Sequence, residues 1–256
     1  MRAMAASSAR FLPAAFGLFC LLCGVAIVEG MLRAGLLNRF IVPLPTEVID
    51  SFGRLFGDEQ LLARFLTTVQ ETFYAMAILA VIGIPVGTLL YQVPVLRKAT
   101  ETWISALASA PIVLMYPLFL VIFGRSPATI IVMGVIAGLP PLILKTIEGL
   151  SGTRQSLINV GRSFRLTRVQ MLTKIMLPAA LPTIFVGLRL ALIFALINIV
   201  GVEFLINFGG LGQLINDLAE RYDMPGMYAT IVFVILVSVL FFFVTERLER
   251  WLRRMS

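Results

Sequence analysis

Residues 154–189 read RQSLINVGRSFRLTRVQMLTKIMLPAALPTIFVGLR, a basic polar stretch that runs into an apolar span punctuated by prolines. Leu157, Val160 and Phe164 recur at helical spacing on one face, with Arg154, Asn159 and Arg162 elsewhere on the turn. Thr167-x-x-Gln170 is a capping-box pattern. It starts a second short helix carrying Val169, Leu172, Ile175 and Met176, which Pro178 is expected to end. The pattern predicts two short helices joined at an elbow, with Arg165-Leu166 at the turn. Five cations lie between Arg154 and Lys174. They suit either an amphipathic segment resting on anionic lipid or a surface that docks a soluble partner.

The surroundings of this segment are hydrophobic enough to sit in a bilayer. The 256 residues are 59% hydrophobic and 14% charged, with mean hydropathy +0.96. A soluble domain averages roughly 45–50% apolar and about 25% charged, so the class is an all-α polytopic membrane protein. In a soluble chain the net charge of +7 would suggest nucleic acid. Here the basic residues gather in particular loops, which favours membrane topology and lipid headgroups instead. The chain has no histidine, which removes the commonest general base and metal ligand and argues against an enzyme or a metal centre. Cys20 and Cys23 lie three apart inside an apolar run, where small inert side chains are expected rather than redox or metal chemistry.

Six spans are expected, at about 11–32, 72–92, 104–123, 128–147, 183–206 and 228–245, each near the ~20 residues that cross the hydrocarbon. Arg2 and Arg10 precede the first run as they would a secretory leader. That run is long for a leader, and Glu29-Gly30-Met31 is no small-x-small cleavage site. With both termini inside, the inner segments hold fourteen Lys and Arg, the outer segments six, and Arg189 lies within a span, which accounts for all 21. That is a positive-inside bias. The outer segment 33–71 is expected to hold two amphipathic helices, one capped by Thr46 after Pro43-Leu44-Pro45, the other by Asp58. Gly83 and Pro85, Pro111 and Pro117, and Gly138-Leu139-Pro140-Pro141 interrupt spans and mark kinks.

The elbow resembles the signature loop of binding-protein-dependent ABC transporter permeases. The family pattern is Glu-Ala-Ala, three residues, Gly, nine residues, then Ile-x-Leu-Pro. Its slots fall on Asn159-Val160-Gly161, on Arg165 and on Ile175-x-Leu177-Pro178. The spacing and the Ile-x-Leu-Pro end match; the Glu-Ala-Ala triplet and the turn Gly do not. Ala179-Ala180-Leu181-Pro182, Gly187-Leu188-Arg189, and Glu203 followed by Gly209-Gly210-Leu211-Gly212 also resemble the family. Pro43 to Val48, Gly83-Ile84-Pro85-Val86-Gly87, and Pro117-Leu118 with Phe123-Gly124 are similar to its nitrate/sulfonate/taurine/bicarbonate branch. The likeness covers about 40 to 254.

The resemblance implies a six-span type I importer permease, MetI-like in fold, as one transmembrane domain over 1–256 with the elbow at 154–178. It implies a multi-pass subunit of the bacterial inner membrane, both termini cytoplasmic. A second copy or a paralogue would line the pathway with it. Two cytoplasmic ATPase subunits, which carry the ATP and Mg, would dock on the elbow. An extracytoplasmic binding protein would deliver a small anionic or polar solute. Docking then falls to Asn159, Gly161, Arg162, Phe164, Arg165, Arg168, Ile175, Leu177 and Pro178. This chain holds no G-x-x-x-x-G-K-[ST] phosphate loop and needs no cofactor of its own, so hydrolysis is expected in another chain. Arg165 stands where the family has Gly, and a left-handed Arg costs about 1 kcal/mol more. The turn is therefore expected to be rebuilt with ordinary helical angles.

Among the polar groups of the spans, Arg189 suits anchoring or bracing of the elbow near the inner end. Asn198, Glu203 and Asn207 are the pathway or gate candidates. Glu203 faces the dimer cavity or the outer gate, or else hydrogen-bonds another helix or the Gly209–Gly212 turn. An ion-coupled secondary transporter is the alternative class. It needs ionisable groups at mid-span, and Arg189, Glu203 and Glu29 are the available ones.

Overall fold

The computed structural model describes the backbone of residues 2–253 and the side chains of 15–247 and 250. The described residues form helices and no strand: α1 (Arg2–Arg33), α2 (Pro45–Gly57), α3 (Leu61–Gln92), α4 (Pro94–Ser109), a 3-10 turn (Ile112–Met115), α5 (Tyr116–Phe123), α6 (Pro127–Ser151), α7 (Gln155–Ser163), α8 (Arg168–Met171), α9 (Leu177–Ile206), α10 (Leu211–Glu220) and α11 (Met224–Arg253). Among these residues, five helices are long and apolar enough to cross a membrane, or six if one bent pair is a single span.

The core is the bundle of α3, α6 and α9. Ala75 and Leu79 of α3 meet Met133, Ala137 and Leu142 of α6 and Ala191, Ala195 and Ile199 of α9 in one buried cluster. Small side chains at the contact let the backbones approach, which is how helices associate where lipid supplies no hydrophobic drive. α6 is enclosed by both neighbours, and it runs unbroken through Pro140 and Pro141. α3 likewise runs through Pro85. Of the expected kinks, the one at Pro111 breaks the chain: Ala110 is extended at ψ 139, as the residue before a proline prefers. The span expected at 104–123 is therefore not one helix. α4 and the following 3-10–α5 segment meet at 91°.

The outer region also departs from expectation. α2 begins two residues earlier than a Thr46 cap would place it, because Pro45 is pre-set for the first helical position. The Glu47 carboxylate accepts from the Leu44 N–H at 3.1 Å and caps the end. Thr46 instead donates its hydroxyl to Glu29 of α1 at 3.0 Å. Asp58 closes α2, donating its N–H to the Arg54 carbonyl at 2.8 Å. No separate second amphipathic helix forms: α3 starts at Leu61 and continues straight into the membrane. Ion pairs bind these parts together, Arg54–Asp223 at 2.7 Å, Arg221–Glu59 at 2.9 Å and Arg64–Asp217 at 3.2 Å. Partly exposed pairs of this kind are worth up to about 1 kcal/mol each. Arg189 lies 5.3 Å from the Phe242 ring centroid, so it braces α9 on α11 by a cation–π contact.

Candidate functional site

Two polar constructions stand at opposite ends of α9. The first is the elbow. α7 ends in a Schellman motif: the Leu166 N–H donates to the Gly161 carbonyl at 3.0 Å and the Arg165 N–H to the Arg162 carbonyl at 2.9 Å. This motif places Arg165 in the left-handed position, φ 53. The expected rebuilding with helical angles does not occur. The two hydrogen bonds satisfy carbonyls that the helix end would leave bare, and they hold the arginine in a conformation that glycine enters more cheaply. Arg165→Gly is accordingly expected to stabilise the elbow by up to about 1 kcal/mol, read as a higher melting temperature. A lower one would show that the arginine side chain makes a contact worth more than its strain.

The capping box forms as expected. The Gln170 N–H donates to Thr167 Oγ1 at 3.3 Å, and the Thr167 N–H to Gln170 Oε1 at 3.0 Å. Pro178 does not end the helix that follows. Leu172–Met176 widens into a π turn, with the Leu177 N–H reaching the Leu172 carbonyl, and α9 continues without a break. The wider turn relieves the clash and the missing donor that proline brings to an ordinary helix.

Within the elbow the side chains divide into two sets. Asn159, Arg162, Phe164, Arg165 and Arg168 are exposed. Phe164 is 76% exposed and Val160 51%, so an apolar ridge rimmed by cations faces away from the bundle. Gly161, Ile175 and Leu177 turn inward. Gly161 is buried, and a Cβ there would lie 2.6 Å from Ile175 Cδ1 and 2.7 Å from Met171 Cε. This glycine lets α7 pack directly on the helix beyond the turn. Leu177 packs on the buried cluster of Leu150, Met176, Ala180 and Ile184. Pro178 is exposed at the start of α9.

The second construction closes the far end of α9. Glu203 is fully buried. Its carboxylate accepts from the Gly212 N–H at 2.7 Å and from the Thr68 hydroxyl at 2.8 Å. Thr68 Oγ1 in turn accepts from the Leu211 N–H at 2.9 Å. The α10 N-terminus is thus capped by a carboxylate from α9 and a hydroxyl from α3, and its partial positive charge stabilises the anion. Of the readings open for Glu203, hydrogen bonding to another helix and to the Gly209–Gly212 turn is seen here. Asn207 ends α9 in the left-handed region, φ 49, and its carbonyl accepts from the Arg125 guanidinium. Asn198 is not part of this cluster; its amide donates to the Phe194 carbonyl of its own helix at 3.0 Å. Two buried residues near Glu203 escaped the sequence reading, Thr68, which bonds it, and Glu71, which with it flanks Gly209. They lie within four residues of the expected start of a span at 72. A polar pair at the edge of an apolar run, 132 residues or more from Glu203, carries no local signal beyond that position.

A model of the family described as binding-protein-dependent transport system inner membrane component matches residues 62–254. The chain is 33% identical over 159 residues to the glycine betaine/proline betaine transport system permease protein ProW of Escherichia coli (strain K12), covering 62% of this chain and 45% of that protein. It therefore spans about half the length of that relative. It is 25% identical over 234 residues to the putative aliphatic sulfonates transport permease protein SsuC of Bacillus subtilis (strain 168), covering 90% of this chain and 82% of that one. Among solved structures it is similar to a chain of the inward-facing MetNI methionine ABC transporter, with TM-score 0.65 and 25% identity over 75% of this chain and 95% of that one.

Proposed function

Because the chain belongs to the family of binding-protein-dependent transport system inner membrane components, we propose that it is the pathway-forming permease of an ABC importer. The observation that carries this reading is the elbow, an exposed apolar ridge with a cationic rim. The second arm of the elbow, α8, runs without a break into a helix that crosses the bundle. In this reading two cytoplasmic ATPase subunits, which bring the ATP and Mg, grip Phe164, Val160 and the cations around them. A second copy or a paralogue completes the pathway, and an extracytoplasmic binding protein presents the solute at the outer face. Both termini lie on the cytoplasmic side of a bacterial inner membrane, as the fourteen-to-six distribution of Lys and Arg supports.

The solute is small and anionic or polar. SsuC, matched over most of its length, is described as an aliphatic sulfonates permease. Glu203 does not oppose an anionic cargo, since it is fully buried and held by Thr68 and Gly212.

The test is isolation of the tagged chain from its native membrane followed by reconstitution. An ATPase subunit is expected to co-purify, and uptake by the reconstituted assembly is expected to require ATP. Uptake by the purified chain alone, driven by an ion gradient, would overturn the proposal.

A further inference from the structure

Glu71 is 4% exposed, and neither of its carboxyl oxygens has a hydrogen-bond partner among the described groups. The carboxyl beside it is that of Glu203: a Cβ added to Gly209 would lie 3.5 Å from Glu71 Oε1 and 3.6 Å from Glu203 Cγ. Glu203 is already committed as an acceptor, to Thr68 and to the α10 N-terminus. The charged groups around the pair are used elsewhere. Arg64 donates to Gln213 at 2.6 Å, to the Gly209 carbonyl at 3.1 Å and to Asp217 at 3.2 Å. Arg125 donates to the Asn207 carbonyl. α6 presents Ile130 to this space, its Cδ1 3.4 Å from where a Cβ on Gly209 would stand.

Two buried anions side by side without an intervening positive charge are untenable. A positive charge must sit between them, and its size is limited by the packing. A Cβ added to Gly209, beside the pair, would already touch Ile130, Glu71 and Glu203 at 3.4–3.6 Å. A metal cation needs several oxygen ligands around it, and the Thr68 hydroxyl here is already bonded to Glu203. We infer that Glu71 and Glu203 bind one proton between them, with Glu71 as the neutral acid that donates and Glu203 as the anion that accepts. The anion belongs on Glu203, because that carboxyl meets the α10 N-terminus. The shared proton is then a third tie, beside Thr68 and Gly212, holding α3 to the α9–α10 corner. Parting α3 from that corner requires carrying both carboxyls into water.

The test uses the full chain, with whatever subunits co-purify, and glutamate labelled with carbon-13 at its side-chain carboxyl. At neutral pH the infrared spectrum is expected to contain the C=O stretch of a protonated carboxylic acid. The band should shift with the label and disappear in Glu71→Gln. Absence of such a band overturns the assignment. Glu71→Gln supplies an amide donor where the proton was, so it is expected to retain the wild-type melting temperature in detergent; failure of this variant to fold also overturns it. Melting is compared in sodium and in choline at equal ionic strength. Sodium stabilisation of the wild type that Glu71→Gln abolishes would assign the site to a metal cation and not to a proton.

Discussion

Gly212→Ala is expected to prevent the outer corner from assembling, with a loss above about 3 kcal/mol and little folded protein recovered from detergent. The added Cβ would lie 2.2 Å from the Val200 carbonyl oxygen, 2.6 Å from Glu203 Cβ and 2.7 Å from the Phe204 nitrogen. Two of these three are backbone atoms of α9, so no side-chain rotation relieves the overlap; α10 must back away. Backing away removes the Gly212 N–H from Glu203 and strands a buried carboxylate, so steric and electrostatic costs arise together. Gly53→Ala is the control. Gly53 lies inside α2 with nothing within 4 Å of the added carbon, and there alanine should be neutral or stabilise by about 0.5–1 kcal/mol. A Gly212→Ala protein that melts with the wild type would mean that α10 does not lie against α9 as described.

Phe164→Asp should abolish coupling to the ATPase while leaving the permease folded. The ring is 76% exposed, so its loss removes little internal packing. In the proposed assembly it is the aromatic anchor of the docking ridge. Such anchors contribute about 2 kcal/mol or more, and burying a carboxylate in the same groove adds its own penalty. Docking should weaken at least ~30-fold, with solute-stimulated ATP hydrolysis falling to background. Charge reversal at Arg162 or Arg168, at the rim of the ridge, should act less strongly and more so at low salt. If Phe164→Asp retained both ATPase binding and stimulated hydrolysis, with lipid binding reduced instead, the elbow would be a membrane-surface element.

The elbow was legible because its instructions are local. The 3–4 spacing of Leu157, Val160 and Phe164 and the Thr167–Gln170 box act within a few residues. The bundle helices were legible from apolar length. What the sequence misstated were the effects of proline and of helix ends. Pro178, Pro140 and Pro141 would break an isolated helix, but the surrounding bundle and a π turn hold these helices intact. Pro111 has no such enclosure and does break one. Arg165 was expected to avoid the left-handed region because its local cost is known, whereas the Schellman hydrogen bonds that outweigh that cost depend on α7 ending at Ser163. Thr68 and Glu71 were not found because their meaning comes from Glu203 and Gly212, which only the folded chain brings to them.

The uninterrupted run from Arg168 through the π turn to Ile206 has a mechanical consequence. At 1.5 Å per residue, it makes a lever arm of roughly 55–60 Å, with the elbow at its short inner end and the carboxyl corner at its tip. A rotation of about 5° about the inner end sweeps that tip through roughly 5 Å, on the order of one helical turn. The stroke at that corner is thus set by arm length, and in the proposed assembly a force that reaches α8 through the turn after α7 travels on to the corner with no further joint in which to dissipate.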